Sequence, residues 1–191
     1  MKSALVVSLS VGITNMTNVT FGDSYLLSFG HGTKEEKKAL LAKYPDHKIY
    51  MDLTCFDPQE FYSEYPQLKG CFAALFCDEA KKMEIHLREA SDEVLGKLKE
   101  LGFTPVETKI MSTGFIFPRT IVQIINEAYF ALDEKIATRD DIDRAMKFGV
   151  NYPKGPFEWA QDKESVVLTL LDELLKKTGD QRYVAAPNLK A

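Results

Sequence analysis

The only Gly-x-Gly in the chain is Gly30-His31-Gly32, and it raises the question of a phosphate-binding turn. A dinucleotide fingerprint needs a third glycine three positions on, so that backbone N–H groups can approach a pyrophosphate. That position is Glu35, whose carboxylate would repel the phosphates. The stretch therefore reads as a strand-to-helix turn, with His31 as a solvated loop histidine rather than a catalytic base. His31, His47 and His86 lie far apart, without metal-ligand spacing. Glu84 and His86 stand two apart on an expected strand, so both face one side and form a surface pair. Thr33 to Lys38, TKEEKK, reads as a solvated helix face. No Ser-His-Asp order and no nucleophile elbow occurs. Cys55, Cys71 and Cys77 are odd in number and read as free thiols of a cytosolic protein.

The elements that must position these residues come from patterning. With 45% hydrophobic and 27% charged residues, the 191-residue chain has an ordinary globular composition. It suits one domain or two small ones. The net charge of −4 gives no reason to expect nucleic acid or an anionic membrane as a partner. The opening MKSALVVSLSVGITN reads as a first strand at Ala4 to Leu9 rather than as a signal peptide. Further strands are expected at Tyr25–Phe29, Ile49–Thr54, Phe72–Phe76, Met83–Leu87 and Phe103–Thr108. A capping box at Thr33-Lys34-Glu35-Glu36 starts a helix that ends before Pro45, and Ser91 caps another that ends at Gly102. This alternation predicts a sheet that is at least partly parallel.

Beyond about Ile110 only helices are expected. Pro118 suits a first turn, and Ile121, Ile124, Ile125, Ala128 and Leu132 follow at helical spacing. Thr138 caps a second helix, and Val166, Val167, Leu170, Leu171, Leu174 and Leu175 line a last one. Between them NYPKGPFEWA, Asn151–Ala160, is a corner that ends in Phe157 and the single Trp159.

Thr113 to Ala160 resembles the start of the C-terminal domain of the 3-hydroxyacyl-CoA dehydrogenase family. The resemblance is carried by Thr113-Gly114-Phe115, Pro118-Arg119, Asn126-Glu127-Ala128, Asp141 to Met146, and Tyr152 to Glu158. Thr178 to Lys190, TGDQRYVAAPNLK, is similar to the family's closing segment. Lys37–Pro58, Cys71–Leu87 and Lys97–Lys109 are similar to the later part of its nucleotide-binding domain. The fold implied is α/β plus all-α. A truncated Rossmann-like sheet domain over residues 1–110 precedes a 6-phosphogluconate-dehydrogenase-like helical domain over residues 111–191. Upstream of Lys34 the family has a much longer segment, with the glycine turn that holds NAD, and Met1–Thr33 contains no substitute for it.

The resemblance also implies a set of site positions. The family pairs a His with a Glu as general base and uses a Ser and an Asn to hold the substrate oxygen. Those positions fall on Ala74, Glu84, Cys55 and Pro118, the Glu across a spacing that departs from the family's. Alanine cannot accept a proton and proline has no side-chain donor. Arg119, Cys55 and Glu84 remain as candidate substrate contacts. Two readings stay open. One is a catalytically degenerate family member without a cofactor. It keeps a homodimer through the helical domain and an acyl-CoA or acyl-pantetheine cleft, in the cytoplasm. The other is an active NAD-dependent oxidoreductase of fatty acid metabolism with an atypical cofactor site, using His31 or His86.

Overall fold

Gly22, in the left-handed region at φ 57°, turns the chain between β1 (Thr17–Phe21) and β2 (Tyr25–Phe29). A side chain would be strained at that φ, which suits glycine. The computed structural model describes residues 16–77 and 81–190. The expected strand at Ala4–Leu9 lies outside the described residues. Beyond the hairpin come α1 (Lys34–Lys43), β3 (Lys48–Asp52), α2 (Pro58–Glu64), β4 (Leu68–Phe72), β5 (Lys82–Leu87), α3 (Asp92–Glu100) and β6 (Thr104–Glu107). The strands form one mixed sheet in sequence order, β1-β2-β3-β4-β5-β6. The β2–β3, β3–β4 and β5–β6 pairs are parallel, while β1–β2 and β4–β5 are antiparallel.

Local chemistry sets the element ends. Thr33 and Glu36 make the expected reciprocal capping box on α1. Ser91 caps α3 through the Val94 amide. Asp57 caps α2, with Pro58 in its first turn. One boundary differs from expectation. The apolar run Phe72–Phe76 is not the fourth strand, because β4 is Leu68–Phe72 and the buried residues after it lie beyond the strand's end. Gly70 has to be bare there, since a Cβ would meet the Tyr50 ring at 2.6 Å.

The second half is helical: α4 (Phe117–Asp133), α5 (Arg139–Gly149), α6 (Pro156–Ala160) and α7 (Glu164–Thr178), then short 3-10 turns at Gln181–Tyr183 and Pro187–Leu189. The corner between α5 and α6 is an internal joint. Asn151 takes a left-handed φ of 57°, Asp143 accepts the Phe157 amide at 2.9 Å, and Glu158 accepts that of Gly155 at 2.9 Å. Phe157 and Trp159 are buried, Phe157 on Tyr129 of α4 and Trp159 on Tyr152. The closing segment is pinned by the fully buried Asn126. Its amide donates to Val184 O at 2.9 Å and its oxygen accepts from Ala186 N at 2.9 Å.

The two faces of the sheet bury different groups. Leu26, Ile49, Met51, Leu53 and Cys71 pack in one apolar cluster with residues of α1, α2, α4 and α7. Leu27, Phe29, Tyr50, Phe72 and Ile85 pack on the other side with Val94 and Leu98 of α3. No helix among the described residues is long and apolar enough to cross a membrane.

Candidate functional site

The parallel strands β2, β3 and β4 end at a seam facing the start of α4, the part of an open α/β sheet where ligands bind. Three of the expected site positions, Cys55, Ala74 and Pro118, lie on this seam. Cys55 follows β3 and is buried, with its thiol directed to Val166 O of α7 at 3.9 Å. Ala74 follows β4 and is buried. The Gly114 amide donates to Thr54 O at 2.8 Å, which brings the loop before α4 against the end of β3. Pro118 sits in the first turn of α4, as expected.

Glu84 departs from the surface pair expected on sequence grounds. It reaches from β5 to the N-terminus of α4 and accepts the amides of Ile116, at 3.2 Å, and Phe117, at 2.8 Å. Neither Ile116 nor another residue of that turn supplies a side-chain cap, so Glu84 is the cap, and its charge suits the positive end of the helix. His86, its former companion, instead places Nδ1 at 3.1 Å from Thr108 O. A carbonyl only accepts, so Nδ1 carries the proton. Arg119 does not point into open space. Its Nε donates to the Tyr183 hydroxyl at 2.8 Å and its guanidinium lies over the Tyr183 ring. Tyr183 in turn lines a groove of about 370 Å³ with Leu168, Leu175 and Lys190.

A buried ionisable cluster at the seam escaped the sequence reading. His31 is not solvated: its side chain is 7% exposed, and Nδ1 lies 3.3 Å from Asp52 Oδ2, with the Asp52 side chain 1% exposed. That separation is an ion-pair distance without hydrogen-bond alignment. Oδ2 has no hydrogen bond among the described residues. The other oxygen, Oδ1, accepts Thr54 Oγ1 at 2.6 Å, Thr54 N at 3.0 Å and Ala74 N at 3.4 Å. Lys37 breaks the expected solvated face of TKEEKK. It is 1% exposed and donates from Nζ to Gly30 O at 2.8 Å. Burial pushes Lys37 below the ordinary lysine range, against the pull of Asp52. Burial likewise drives the Cys55 thiol up, and neighbouring Asp52 reinforces the effect.

The turn at Gly30-His31-Gly32 does not suit a pyrophosphate. The Thr33 and Glu36 amides at the start of α1 are engaged by its own capping box, and a Cβ on Gly32 would meet Met16 Sδ at 2.6 Å and Glu36 Oε2 at 2.9 Å. Glu36 sets a carboxylate beside Gly32, and the Lys37 ammonium beside Gly30 is already held by the Gly30 carbonyl. Among the described residues, no group of three or more His, Cys, Asp or Glu is placed to hold a metal ion.

Residues 114–191 match the family model of the 3-hydroxyacyl-CoA dehydrogenase C-terminal domain. The chain is 46% identical over 71 residues to the 3-hydroxyadipyl-CoA dehydrogenase of Escherichia coli, covering 37% of this chain and 15% of that protein. It is 34% identical over 99 residues to the 3-hydroxybutyryl-CoA dehydrogenase of Clostridioides difficile, covering 51% of this chain and 35% of the relative. The matches thus span about a third or less of these relatives' lengths. Among solved structures, the (S)-3-hydroxybutyryl-CoA dehydrogenase of Ralstonia eutropha superposes with a TM-score of 0.70 at 21% identity, over 87% of this chain and 64% of that one. At that identity the likeness establishes the fold, a mixed sheet followed by a helical region. Residues 114–191 are thus similar to the C-terminal domain of the 3-hydroxyacyl-CoA dehydrogenase family.

Proposed function

We propose that this chain is a family member that binds acyl-CoA thioesters at the seam and has lost hydride transfer to NAD. The observation that carries the reading is Ala74. At the position matched to the family's catalytic His there is a methyl group, and its backbone amide is directed at Asp52. The Glu84 carboxylate is occupied by the α4 N-terminus, and Pro118 offers no side-chain donor. General base catalysis is worth about 10²–10⁴-fold and needs a titratable group at the reacting oxygen. The start of α1, with its Thr33 and Glu36 amides taken by the capping box, is a poor seat for a pyrophosphate.

The same reading divides the chain near residue 110 into a Rossmann-like and a helical domain, the latter forming a homodimer in the cytoplasm. The dimer is supported by α5, which contributes no buried residue, and by the exposed Ile136, Phe148 and Val150 beside or on it. A stable interface of this kind buries on the order of 2,000 Å² or more.

Calorimetric titration with acetoacetyl-CoA and, separately, NADH tests the reading. Binding of the thioester and silence with NADH is expected. A steady-state assay with 3-hydroxybutyryl-CoA and NAD is expected to show no turnover. Turnover at about 1–10³ s⁻¹, in the range of ordinary enzymes, would overturn the reading. If an Ala74→His, Pro118→Asn double variant is also silent, the cofactor seat is the larger deficit. Sedimentation at micromolar concentration should give twice the 21.6 kDa of one chain.

A further inference from the structure

We propose that the groove between α7 and the closing segment is a binding site for a medium-chain carboxylate, its hydrocarbon tail on Leu168 and Leu175 and its head at Lys190. The site is separate from the seam, and the inference does not rest on the acyl-CoA reading above.

The groove has a volume of about 370 Å³. That lies within the range of about 300–1,000 Å³ that small-molecule sites occupy. One wall comes from α7, where Leu168, Asp172 and Leu175 recur at i, i+4 and i+7 and so share a face. The buried residues of α7 take its other faces. The opposite wall is the closing segment, with Tyr183 and Val184. Both of these residues are fixed from α4. Asn126 donates to Val184 O at 2.9 Å, and Arg119 Nε donates to the Tyr183 hydroxyl at 2.8 Å. The groove is thus built before a ligand arrives, which lowers the ordering cost of binding.

The charges select the ligand. Two charged side chains line the groove, Asp172 and Lys190. The Asp172 carboxylate is matched by Lys176 of the same helix at 2.6 Å. The Lys190 ammonium has no ion pair or hydrogen bond among the described residues. The groove therefore offers apolar surface and one unmatched positive charge, which fits a single anionic head on a hydrocarbon tail. A cationic amphiphile would set its head against Lys190, and an uncharged one would leave that ammonium unmatched.

The experiment titrates the full chain in the calorimeter with decanoate, decanol and decyltrimethylammonium, each below its micelle concentration. Decanoate is expected to bind, decanol to bind about fivefold more weakly, as for the loss of an exposed charge pair, and the cation not to bind. Amide shifts in NMR should fall on Tyr183 and Val184 when decanoate is added. Lys190→Gln should weaken decanoate by about fivefold and leave decanol unchanged, and Lys190→Arg should restore it. Leu168→Asp, at a half-buried position, should remove both ligands. Lys69→Gln on β4 should change neither. Saturating acetoacetyl-CoA should leave decanoate in place. Absence of decanoate binding overturns the proposal, as does equal affinity in Lys190→Gln. Displacement by acetoacetyl-CoA, with binding retained in Leu168→Asp, overturns it by placing decanoate at the seam. A Leu168→Asp chain that sediments at half the mass of the natural protein overturns it by giving the groove to a second copy.

Discussion

The carboxylate of Glu84 accepts the amide of Phe117 at 2.8 Å, joining a strand of the sheet to the first turn of the long helix that begins the second half. This side chain is the polar tie at a helix end that has no cap of its own. Glu84→Ala is expected to cost about 1–2 kcal/mol, the worth of a cap with charge-assisted hydrogen bonds. Glu84→Gln keeps an acceptor and should cost less. Urea unfolding of the two variants beside the natural chain checks both the direction and the order.

Gly155 should tolerate no side chain. A Cβ there would sit 2.2 Å from Asp143 Cγ and 2.4 Å from its Cβ, too near the backbone to swing aside. Gly155→Ala would push Asp143 from the Phe157 amide and open the joint on which Phe157 and Trp159 pack. A loss of about 1–3 kcal/mol is expected, as for overpacking elsewhere. Trp159 fluorescence during thermal unfolding reports it directly.

The three thiols are expected to be silent in the folded protein. Cys55, Cys71 and Cys77 are all buried, and burial pushes the Cys71 thiol up to about 12 despite the hydrogen bond from the Tyr62 hydroxyl. Thiolate is the reactive form, so a thiol reagent at pH 8 should label none of the three until denaturant is added. Fast labelling of one thiol in the native protein would contradict this placement.

Acid should loosen the α5–α6 joint through Glu158. The Lys147 ammonium, and then the Gly155 amide, hold its carboxyl below the usual glutamate range. The native state therefore binds this proton less readily than the unfolded chain does. The contribution is present above the unfolded glutamate pKa and is lost as pH falls through the lower native value. Asp143 acts in the opposite sense, because burial raises its carboxyl, so its own contribution declines as pH rises. Stability measured by urea between pH 3 and pH 7 should depend less on pH in Glu158→Gln than in the natural chain.

What was legible in the sequence was local. Capping boxes and caps at Thr33, Ser91 and Thr138 involve residues three apart, so the helix starts are where the pattern puts them. Strand β1 was missed because TNVTF lies at a sheet edge with three of its five residues partly covered and none buried, which leaves no apolar run to read. The fourth strand was displaced because the buried residues continue past Phe72, and burial outlasts pairing there. The His31–Asp52 pair depends on β2 and β3 lying side by side, a neighbour relation that no spacing encodes. Lys37 was hidden by its charged neighbours. Its long apolar stem fills the space beneath the turn while its ammonium finds a backbone carbonyl. The matched catalytic positions were visible as residue types, but the role of Glu84 as a cap required the fold.

The apolar cluster on one face of the sheet runs without a break into α4 and α7, whereas the cluster under α3 is separate. The buried apolar groups are thus divided by the plane of the sheet. Amide protons of β3, α4 and α7 belong to one foldon and should exchange only through a common opening, at the free energy of global unfolding. The amides of α3 and β6 have the smaller cluster alone beneath them and can open at lower cost. The weak flank of this molecule is therefore expected under α3, where Ala74 also packs, so the candidate site straddles the two clusters, with Cys55 and Phe115 on the slower-exchanging side.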